Sequence, residues 1–283
     1  MRHLIKNIAA SNRAKLLNLS RESGQSFQEL VQYFAMGRFL YRLSVSRFSD
    51  QFLLKGAMLL HALEVKHARA TLDIDLLGWK VTSPESIGKI INSVIKQNVD
   101  PDGLEFMPES IDIFDITKTS GYIGCRVKFT GTLGSILIPM QIDIGFGDSI
   151  IPDPIQINTP VMLGYPSGKL QGYALETSIA EKIHAIFQLE ILNSRMKDFY
   201  DIWFLSRNVQ INKELLSKSI AGTFMNRGTV IAKDSIVFTD KFRLNNDKQK
   251  QWSAFCRKRN IKNVPDKFHE IADEVMNFIK PLL

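Results

Sequence analysis

Two carboxylates, one residue apart inside an apolar run, constrain the fold of this chain more than any other feature. In the segment RATLDIDLLGW, residues 69–79, the acids are Asp73 and Asp75. The apolar residues that alternate with them are Leu72, Ile74 and Leu76. Because residues i and i+2 of a strand point to the same face, both acids are predicted to project together, with the apolar residues packed on the other side. An unpaired carboxylate in such surroundings is costly, so a cation is expected beside them.

A second apolar segment, SILIPMQIDIGFG, carries a further acid. Its alternating apolar residues predict one buried strand face, formed by Ile136, Ile138, Met140, Ile142 and Ile144. Asp143 falls on the opposite face. If this strand neighbours the strand of Asp73 and Asp75, three carboxylates converge, and such oxygen ligands suit Mg²⁺ or Mn²⁺. Pairs of these ions align the reacting groups in phosphoryl transfer, which makes that chemistry the leading hypothesis.

The segment FLLKGAMLLHALEV, upstream of the two acids, is interpreted as a short loop that opens a helix. Gly56 at the mouth of this helix permits the backbone to approach a phosphate closely, and exposed amide groups there favour an anion. A glycine turn, a helix, a strand with two acids and a third acid on another strand form the layout of the nucleotidyltransferase superfamily that includes DNA polymerase beta.

Changes of pattern along the chain predict three parts: an N-terminal helical segment (1–48), an α/β core (49–165) and a helical C-terminal domain (166–283). Within the core, PESIGKIINSVIKQ predicts a helix, whereas LEFMPESIDIFDI and YIGCRVKFTG predict strands. After the loop LGYPSGK, the periodicity becomes helical again to the C-terminus. The predicted class is α+β, a mixed sheet with helices followed by a helical domain.

Composition restricts the class of protein further. The 283 residues are 45% hydrophobic and 23% charged, as in ordinary globular proteins. Cys125 and Cys256 have no spacing that indicates a disulfide framework or a zinc site. No apolar run reaches the length of a membrane span, and the N-terminus has no signal-like apolar region, so a soluble cytoplasmic protein is expected.

Positive charge is concentrated at both ends of the chain. Residues 241–267 contain nine Lys or Arg against two Asp, and residues 1–48 contain eight against two Glu. Basic flanks around an acidic middle suit a protein that binds a polyanion at its periphery and a metal at its centre. Phe242, Trp252 and Phe255 stand among the C-terminal charges, as in base-stacking surfaces. The alternative, that both flanks are solvated helical faces, fits the charge counts equally well.

A second unusual segment is ETSIAEKIHAIFQLEILNSRMKDFYDIWFLSR. Lys182 falls at helical spacing on or beside a buried apolar stripe, and Asp198 and Asp201 lie three apart on the next helix. One interpretation is structural: Lys182 pairs with one of these acids, and Arg195 pairs with Asp198, which joins two helices. The other is that Lys182 binds a triphosphate. The pair Asp73 and Asp75 favours the second interpretation.

Over residues 36–207, five short motifs resemble those of one family in their order and spacing. The motifs are FLLKGAMLL, RATLDIDL, QIDIGFGD, ETSIAEKIHAI and RMKDFYDIW. This family is the AbiEii/AbiGii-type nucleotidyltransferase toxins of bacterial abortive-infection and type IV toxin–antitoxin systems. The resemblance implies a polymerase-beta-like domain with a helical C-terminal part, a nucleoside triphosphate donor with magnesium, and nucleotide addition to the tRNA 3′ end that blocks translation. It also implies a cognate antitoxin as a partner, with direct binding left open.

The resemblance also assigns residues. As metal ligands it implies Asp73, Asp75 and Asp143, and as further catalytic residues Lys182 and Asp198. As nucleotide-binding residues it implies Lys55, Gly56, Ala57, Arg69, Thr71, Lys182 and Asp201. The pair Gly56–Ala57 departs from the Gly-Gly of many members and the Gly-Ser of the superfamily. Because alanine has no hydroxyl, any phosphate contact at Ala57 is expected to come from backbone amides.

Two other functions remain open at this stage. A nucleotidyltransferase of the same fold could modify a protein or a small molecule instead of RNA. A non-catalytic RNA-binding regulator could use a degenerate nucleotidyltransferase domain, although the presence of both Asp73 and Asp75 argues against it. His61 and His184 have no second ligand at metal spacing and are interpreted as structural.

Overall fold

The computed structural model describes residues 7–65, 71–79, 84–117, 123–231, 234–259, 261 and 263–283. The chain divides into two compact units. The sheet unit comprises Met1–Gly147 and Ile155–Gly172, and the helical unit comprises Asp148–Pro154 and Tyr173–Leu283. The three domains suggested by the sequence, residues 1–48, 49–165 and 166–283, remain a prediction.

Within the described residues, the sheet unit contains one mixed sheet of seven strands in the order β3-β4-β5-β2-β1-β7-β6. The strands are β1 (Phe52–Lys55), β2 (Ile74–Gly78), β3 (Leu104–Thr117), β4 (Ile123–Leu133), β5 (Ile136–Phe146), β6 (Ile155–Asn158) and β7 (Lys169–Gly172). The pairs β2/β5 and β1/β7 are parallel, and the other neighbours are antiparallel. The accompanying helices are α1 (Ile8–Ser23), α2 (Phe27–Ser44), α3 (Gly56–Ala62) and α4 (Pro84–Ile95). The predicted α+β class is confirmed.

Burial follows the predicted alternation on the two acid-bearing strands. On β5 Ile138, Met140, Ile142 and Ile144 are buried as predicted, whereas Ile136 is half-buried and Gly145 is buried as well; on β2 the buried residues include Ile74 and Leu76. Helix α2 packs against β5, where the Gln32 side chain contacts Met140, and it also packs against α4. The apolar face of these strands is therefore covered by helix, which leaves Asp143 on the other face.

Three local expectations need correction. The segment FLLK is the buried strand β1 and not a loop, because its residues pair with β2 on one side and β7 on the other. Leu72 was expected to pack beside Ile74, but β2 begins at Ile74 and the Leu72 side chain is 53% exposed. The short strands β6 and β7 were not predicted, because each has four residues and takes its conformation from its partners.

Helices make up the regular structure of the helical unit within the described residues, apart from short 3₁₀ turns. They are α5 (Leu175–Leu189), α6 (Met196–Asn208), α7 (Lys213–Asn226), α8 (Asp240–Arg243), α9 (Asn246–Lys258) and α10 (Phe268–Ile279). Helix α5 packs against α6 and α7, and α6 packs against α10. Apolar residues at helical spacing, such as Ile179, Ile183 and Ile186, are buried there. Among the described helices, none combines the length and apolar character that crossing a membrane requires.

Candidate active site

Four charged side chains form a row across neighbouring strands of the sheet. Arg126 of β4 is the register partner of Asp143 of β5, and Asp143 is the partner of Asp75 of β2. Asp75 is in turn the partner of Lys55 of β1. Because register partners on neighbouring strands share a face, this charge row (Lys55, Asp75, Asp143 and Arg126) places two carboxylates between two cations. The convergence of the two acid-bearing strands that the sequence suggested is therefore observed.

Arg126 holds Asp143 in a bidentate ion pair. Its Nε donates to Oδ1 at 2.7 Å and its Nη2 donates to Oδ2 at 2.7 Å. The side chains are 37% and 22% exposed, respectively. The hydrogen bonds to Asp143 raise the pKa of Arg126 above its ordinary value, and the charges of Asp73 and Asp75 contribute in the same direction. Arg126 is therefore close enough to all three acids to stabilise them electrostatically.

Sequence reasoning did not single out Arg126. The signal was present in YIGCRVKFTG, where Cys125 and Val127 are buried on one strand face and Arg126 falls between them on the other. A cation at that position belongs to the same polar strand face as Asp143. The expectation of a nearby cation was correct, and register between β4 and β5 supplies it.

Gly56 is in direct contact with Asp75. Its φ of +69° lies in the left-handed region, and a Cβ built there would overlap Oδ2 of Asp75 and stand 2.7 Å from its Cγ. Glycine is required at this position by both the backbone conformation and the close approach. The neighbouring residues Lys55 and Ala57 are buried, at 8% and 2% exposure.

Thr71 fixes the position of Asp73, which directly precedes β2. The Thr71 hydroxyl donates to Oδ1 of Asp73, and the Thr71 backbone N–H donates to the Tyr33 hydroxyl at 2.8 Å. His61 Nε2 lies 3.1 Å from the same Tyr33 hydroxyl, so α2 and α3 both contribute to the support of this loop. Arg69, the other residue of the RATLDIDL motif that was expected to bind nucleotide, lies outside the described residues.

The carboxylate oxygens are suitable ligands for a hard divalent cation, but they are not arranged as a full set of metal ligands. In the described ranges, no group of three or more His, Cys, Asp or Glu side chains is arranged to hold a metal ion. Asp75 and Asp143 nevertheless supply carboxylate oxygens from directly neighbouring positions, the donor chemistry that Mg²⁺ and Mn²⁺ prefer. Both oxygens of Asp143 are bonded to Arg126, so an ion would have to compete with a guanidinium for them.

The helical unit contains the second predicted group. The Lys182 ammonium on α5 lies 2.7 Å from Oδ2 of Asp201 and 3.4 Å from Oδ1 of Asp198 on α6. The Arg195 Nε lies 2.7 Å from Oδ2 of Asp198, so the ion pairs of the structural interpretation are present. The carboxylates of Asp198 and Asp201 are 0% and 2% exposed, and Lys182 is 14% exposed. A nucleotide-binding role for this group stays a prediction.

Only some of the cations in the basic segment 241–267 are exposed at the surface. Lys248 is 2% exposed, and its ammonium donates to the carbonyls of Ile191 and Asn193, in the connection between α5 and α6. Burial lowers the Lys248 pKa below its ordinary value. Lys250, Arg257 and Lys258 are exposed on α9.

The expectation of base stacking by Phe242 and Trp252 is wrong. Both side chains are fully buried, and the Trp252 indole N–H donates to the Pro265 carbonyl. In the N-terminal basic segment, Arg38 and Arg42 are likewise internal, since both pair with the buried Asp102. Segment charge counts therefore overstate the cationic surface, because buried cations were counted with exposed ones.

A buried histidine links α5 to the residues that follow α7. His184 on α5 is 0% exposed, with Nε2 2.9 Å from the Thr229 hydroxyl, and Arg227 donates to its Nδ1 at 3.1 Å. Arg227 also pairs with Asp148 at 2.8 Å. Burial, with the Arg227 charge, lowers the His184 pKa to about 4, against a smaller opposite effect of Asp148. His184 is therefore neutral at pH 7.

Comparison with known protein families identifies the family of this chain. Residues 38–274 match the family described as "Nucleotidyl transferase AbiEii toxin, Type IV TA system", and the chain belongs to that family. It is accordingly a nucleotidyltransferase. A search of curated protein sequences gives no match.

Two solved structures from Helicobacter pylori are similar in shape, both at 16% sequence identity. JHP933 gives a TM-score of 0.49, with 91% of this chain and 92% of that chain covered. A protein named as a putative nucleotidyltransferase gives 0.48, with 92% and 99% covered.

Proposed function

We propose that this nucleotidyltransferase transfers a nucleotide from a nucleoside triphosphate to an RNA acceptor, the tRNA 3′ end, and so blocks translation as the toxin of a toxin–antitoxin or abortive-infection system. The single observation that carries the chemistry is the direct pairing of Asp75 with Asp143 on neighbouring strands. Family membership supports the triphosphate donor and the existence of an antitoxin. A cytoplasmic location is part of the same proposal.

In this proposal Asp73, Asp75 and Asp143 hold Mg²⁺ or Mn²⁺. When bound, such ions would neutralise charge on the triphosphate and activate the attacking hydroxyl of the acceptor. Thr71 orients Asp73 through its hydroxyl, and Gly56 leaves room for the Asp75 carboxylate. These contacts fix the acids before any substrate arrives, which is the protein's contribution to such catalysis.

The remaining assigned residues bind the donor. We assign nucleotide contacts in the sheet unit to Lys55, Gly56, Ala57, Arg69 and Thr71, and in the helical unit to Lys182, with Asp201 acting through Lys182. In the helical unit, Asp198 and Asp201 hold the Lys182 ammonium in place, and Lys182 binds phosphate oxygens as a point charge. Loss of Lys182 is expected to weaken donor binding.

Replacement of one acid tests the chemistry. Asp75→Asn removes a charge from the ion ligands while it preserves size, so transfer from each labelled triphosphate to total tRNA should fall at least about a hundredfold. The matched control is Asp112→Asn, which removes an exposed carboxylate from β3 in the same sheet. Label transfer by Asp75→Asn at the rate of the control, with both proteins folded by circular dichroism, rules out the proposed site.

The acceptor is tested separately through the exposed cations of α9. Phosphate contacts make RNA binding depend on salt, and each lost contact should reduce the slope of log affinity against log salt by about 1. The double variant Arg257→Gln/Lys258→Gln should therefore bind tRNA more weakly with a shallower slope. A control pair, Lys169→Gln/Lys213→Gln, removes two exposed cations elsewhere. If both pairs give the wild-type slope, this surface does not bind RNA, and a protein or small-molecule acceptor becomes the better hypothesis.

A further inference from the structure

Arg126 occupies one lone-pair position on each Asp143 oxygen, so an ion at Asp143 would bind beside its guanidinium. Its guanidinium bonds both oxygens of Asp143, with two contacts of 2.7 Å in the planar geometry typical of arginine and carboxylate. The guanidinium is charged at every accessible pH, so this pair does not dissociate by titration of Arg126. A cation that binds Asp143 through a remaining lone pair comes close to the guanidinium charge, so the ion and Arg126 compete electrostatically for this carboxylate.

The charge row explains why the ion-free protein needs a basic side chain beside Asp143. Asp75 and Asp143 are register partners, and two carboxylates in that relation repel each other. Lys55 stands beside Asp75 on the other side of the row, so each acid has a basic neighbour in the sheet. With both basic neighbours in place, the two acids are held side by side in the protein without an ion.

We propose that Arg126 is a positioning residue that serves as the counter-ion of Asp143 in the ion-free protein and competes with the divalent ion for it. This inference rests on the proposed function, because it takes Asp143 as an ion ligand. Arg126 keeps Asp143 on the shared face until an ion replaces the guanidinium, and it thereby sets how much free ion the enzyme needs. Substitution of Arg126 should then tighten ion binding, whereas loss of a purely structural residue would loosen it.

The measurement is Mn²⁺ binding to the full chain without nucleotide or RNA, with free Mn²⁺ counted by electron paramagnetic resonance. Arg126→Gln should lower the Mn²⁺ dissociation constant by about three- to fivefold, the upper range expected from loss of one partly exposed ion pair. Arg126→Lys keeps the charge without the bidentate geometry and should fall between Arg126→Gln and wild type. An unchanged or higher dissociation constant for Arg126→Gln overturns the proposal.

Two further variants separate competition at Asp143 from a general effect of charge. Lys128→Gln removes an exposed cation two residues away on the same face of β4, and its dissociation constant should stay within about twofold of wild type. In an Asp143→Asn background, Arg126→Gln should no longer tighten binding, because the two residues act through one ion pair. Equal tightening by Lys128→Gln, or tightening that persists without Asp143, overturns the proposal.

The outcomes also distinguish this inference from the proposed function. If wild type transfers nucleotides to tRNA and Arg126→Gln binds Mn²⁺ with wild-type affinity, the inference fails and the function stands. If Arg126→Gln tightens Mn²⁺ binding but no triphosphate labels RNA, the function fails and the inference stands. Absence of Mn²⁺ binding by both wild type and Arg126→Gln overturns the inference. Melting temperatures of all variants establish that each remains folded.

Discussion

At the scale of single residues, the sheet accommodates Asp75 and Asp143 side by side because each has a basic register partner, Lys55 and Arg126 respectively. Asp143 lies between Asp75 and Arg126 in the sheet, and the bidentate bonds of Arg126 offset the repulsion between the two acids. The alternation of SILIPMQIDIGFG was enough to place Asp143 on the polar face. Arg126 was harder to identify, because its importance depends on the register of two strands that a single sequence does not specify.

Gly56 provides a second residue-scale prediction. In Gly56→Ala, the new Cβ would overlap the Asp75 carboxylate, and alanine at a φ of +69° is strained by about 1 kcal/mol. Nucleotide transfer should fall about a hundredfold or more because the carboxylate must move. Gel assays of labelled tRNA measure the transfer, and urea unfolding measures the stability.

The control for this variant is Gly164→Ala. Gly164 has a φ of +76° and no heavy atom within 4 Å of a built Cβ, so it carries the same backbone strain without a collision. Gly56→Ala should lose more stability than Gly164→Ala because of the added collision, and only Gly56→Ala should lose activity. Equal activity of the two variants would show that the contact with Asp75 has no role in transfer.

At the scale of helices and strands, periodicity predicts the long elements and fails for the short ones. The strands β4 and β5 follow from spacing, because each buries one alternating face. The helices α5 and α6 were also predicted from spacing, although α6 is buried at every position from Asp198 to Leu205. The strand β1 has four consecutive buried residues, a pattern that does not distinguish strand from helix or loop.

The link from α9 to the α5–α6 connection is a further element-scale feature that the sequence does not reveal. Lys248 belongs to a segment with the composition of a nucleic-acid-binding surface, yet its ammonium is bonded to the carbonyls of Ile191 and Asn193. Asn193 in turn accepts a hydrogen bond from the Arg195 backbone N–H, next to the first turn of α6. A contact between residues more than fifty positions apart leaves no periodic signal, so composition assigned Lys248 to the wrong environment.

At the scale of the whole molecule, the order of motifs was sufficient to identify the family, but chain continuity was misleading about the units. The sheet unit is interrupted by Asp148–Pro154, which belongs to the helical unit, before the chain returns to form β6 and β7. Each strand of that return segment has only four residues, and pairing with neighbours defines it. Sequence patterns do not predict that a short segment within one unit belongs to the other unit.

The buried His184 gives a prediction about the stability of the protein. Its pKa of about 4 in the folded protein lies below its ordinary value of 6.5, so the folded state disfavours protonation. The contribution of neutral His184 is complete above pH 6.5 and is lost as the pH falls towards 4. A shift of this size corresponds to about 3 kcal/mol of the free energy of unfolding.

Urea unfolding of wild type and His184→Gln at pH 7 and pH 4.5 measures this contribution. Other acids titrate in both proteins, so the difference between the two pH dependences isolates His184. Wild type should lose more stability on acidification than His184→Gln, which has no titrating ring. Parallel losses would mean that burial and the Arg227 charge do not hold the imidazole neutral.

The basic neighbours that flank the paired carboxylates have a consequence for how the protein matures. Many small metal-binding domains acquire their shape only when the ion arrives, because the ligands repel one another in its absence. Here Lys55 and Arg126 stand in the same sheet as Asp75 and Asp143, so each acid has a basic neighbour in the fold without an ion. Folding of this sheet should therefore not depend on a divalent ion, even though the proposed chemistry does.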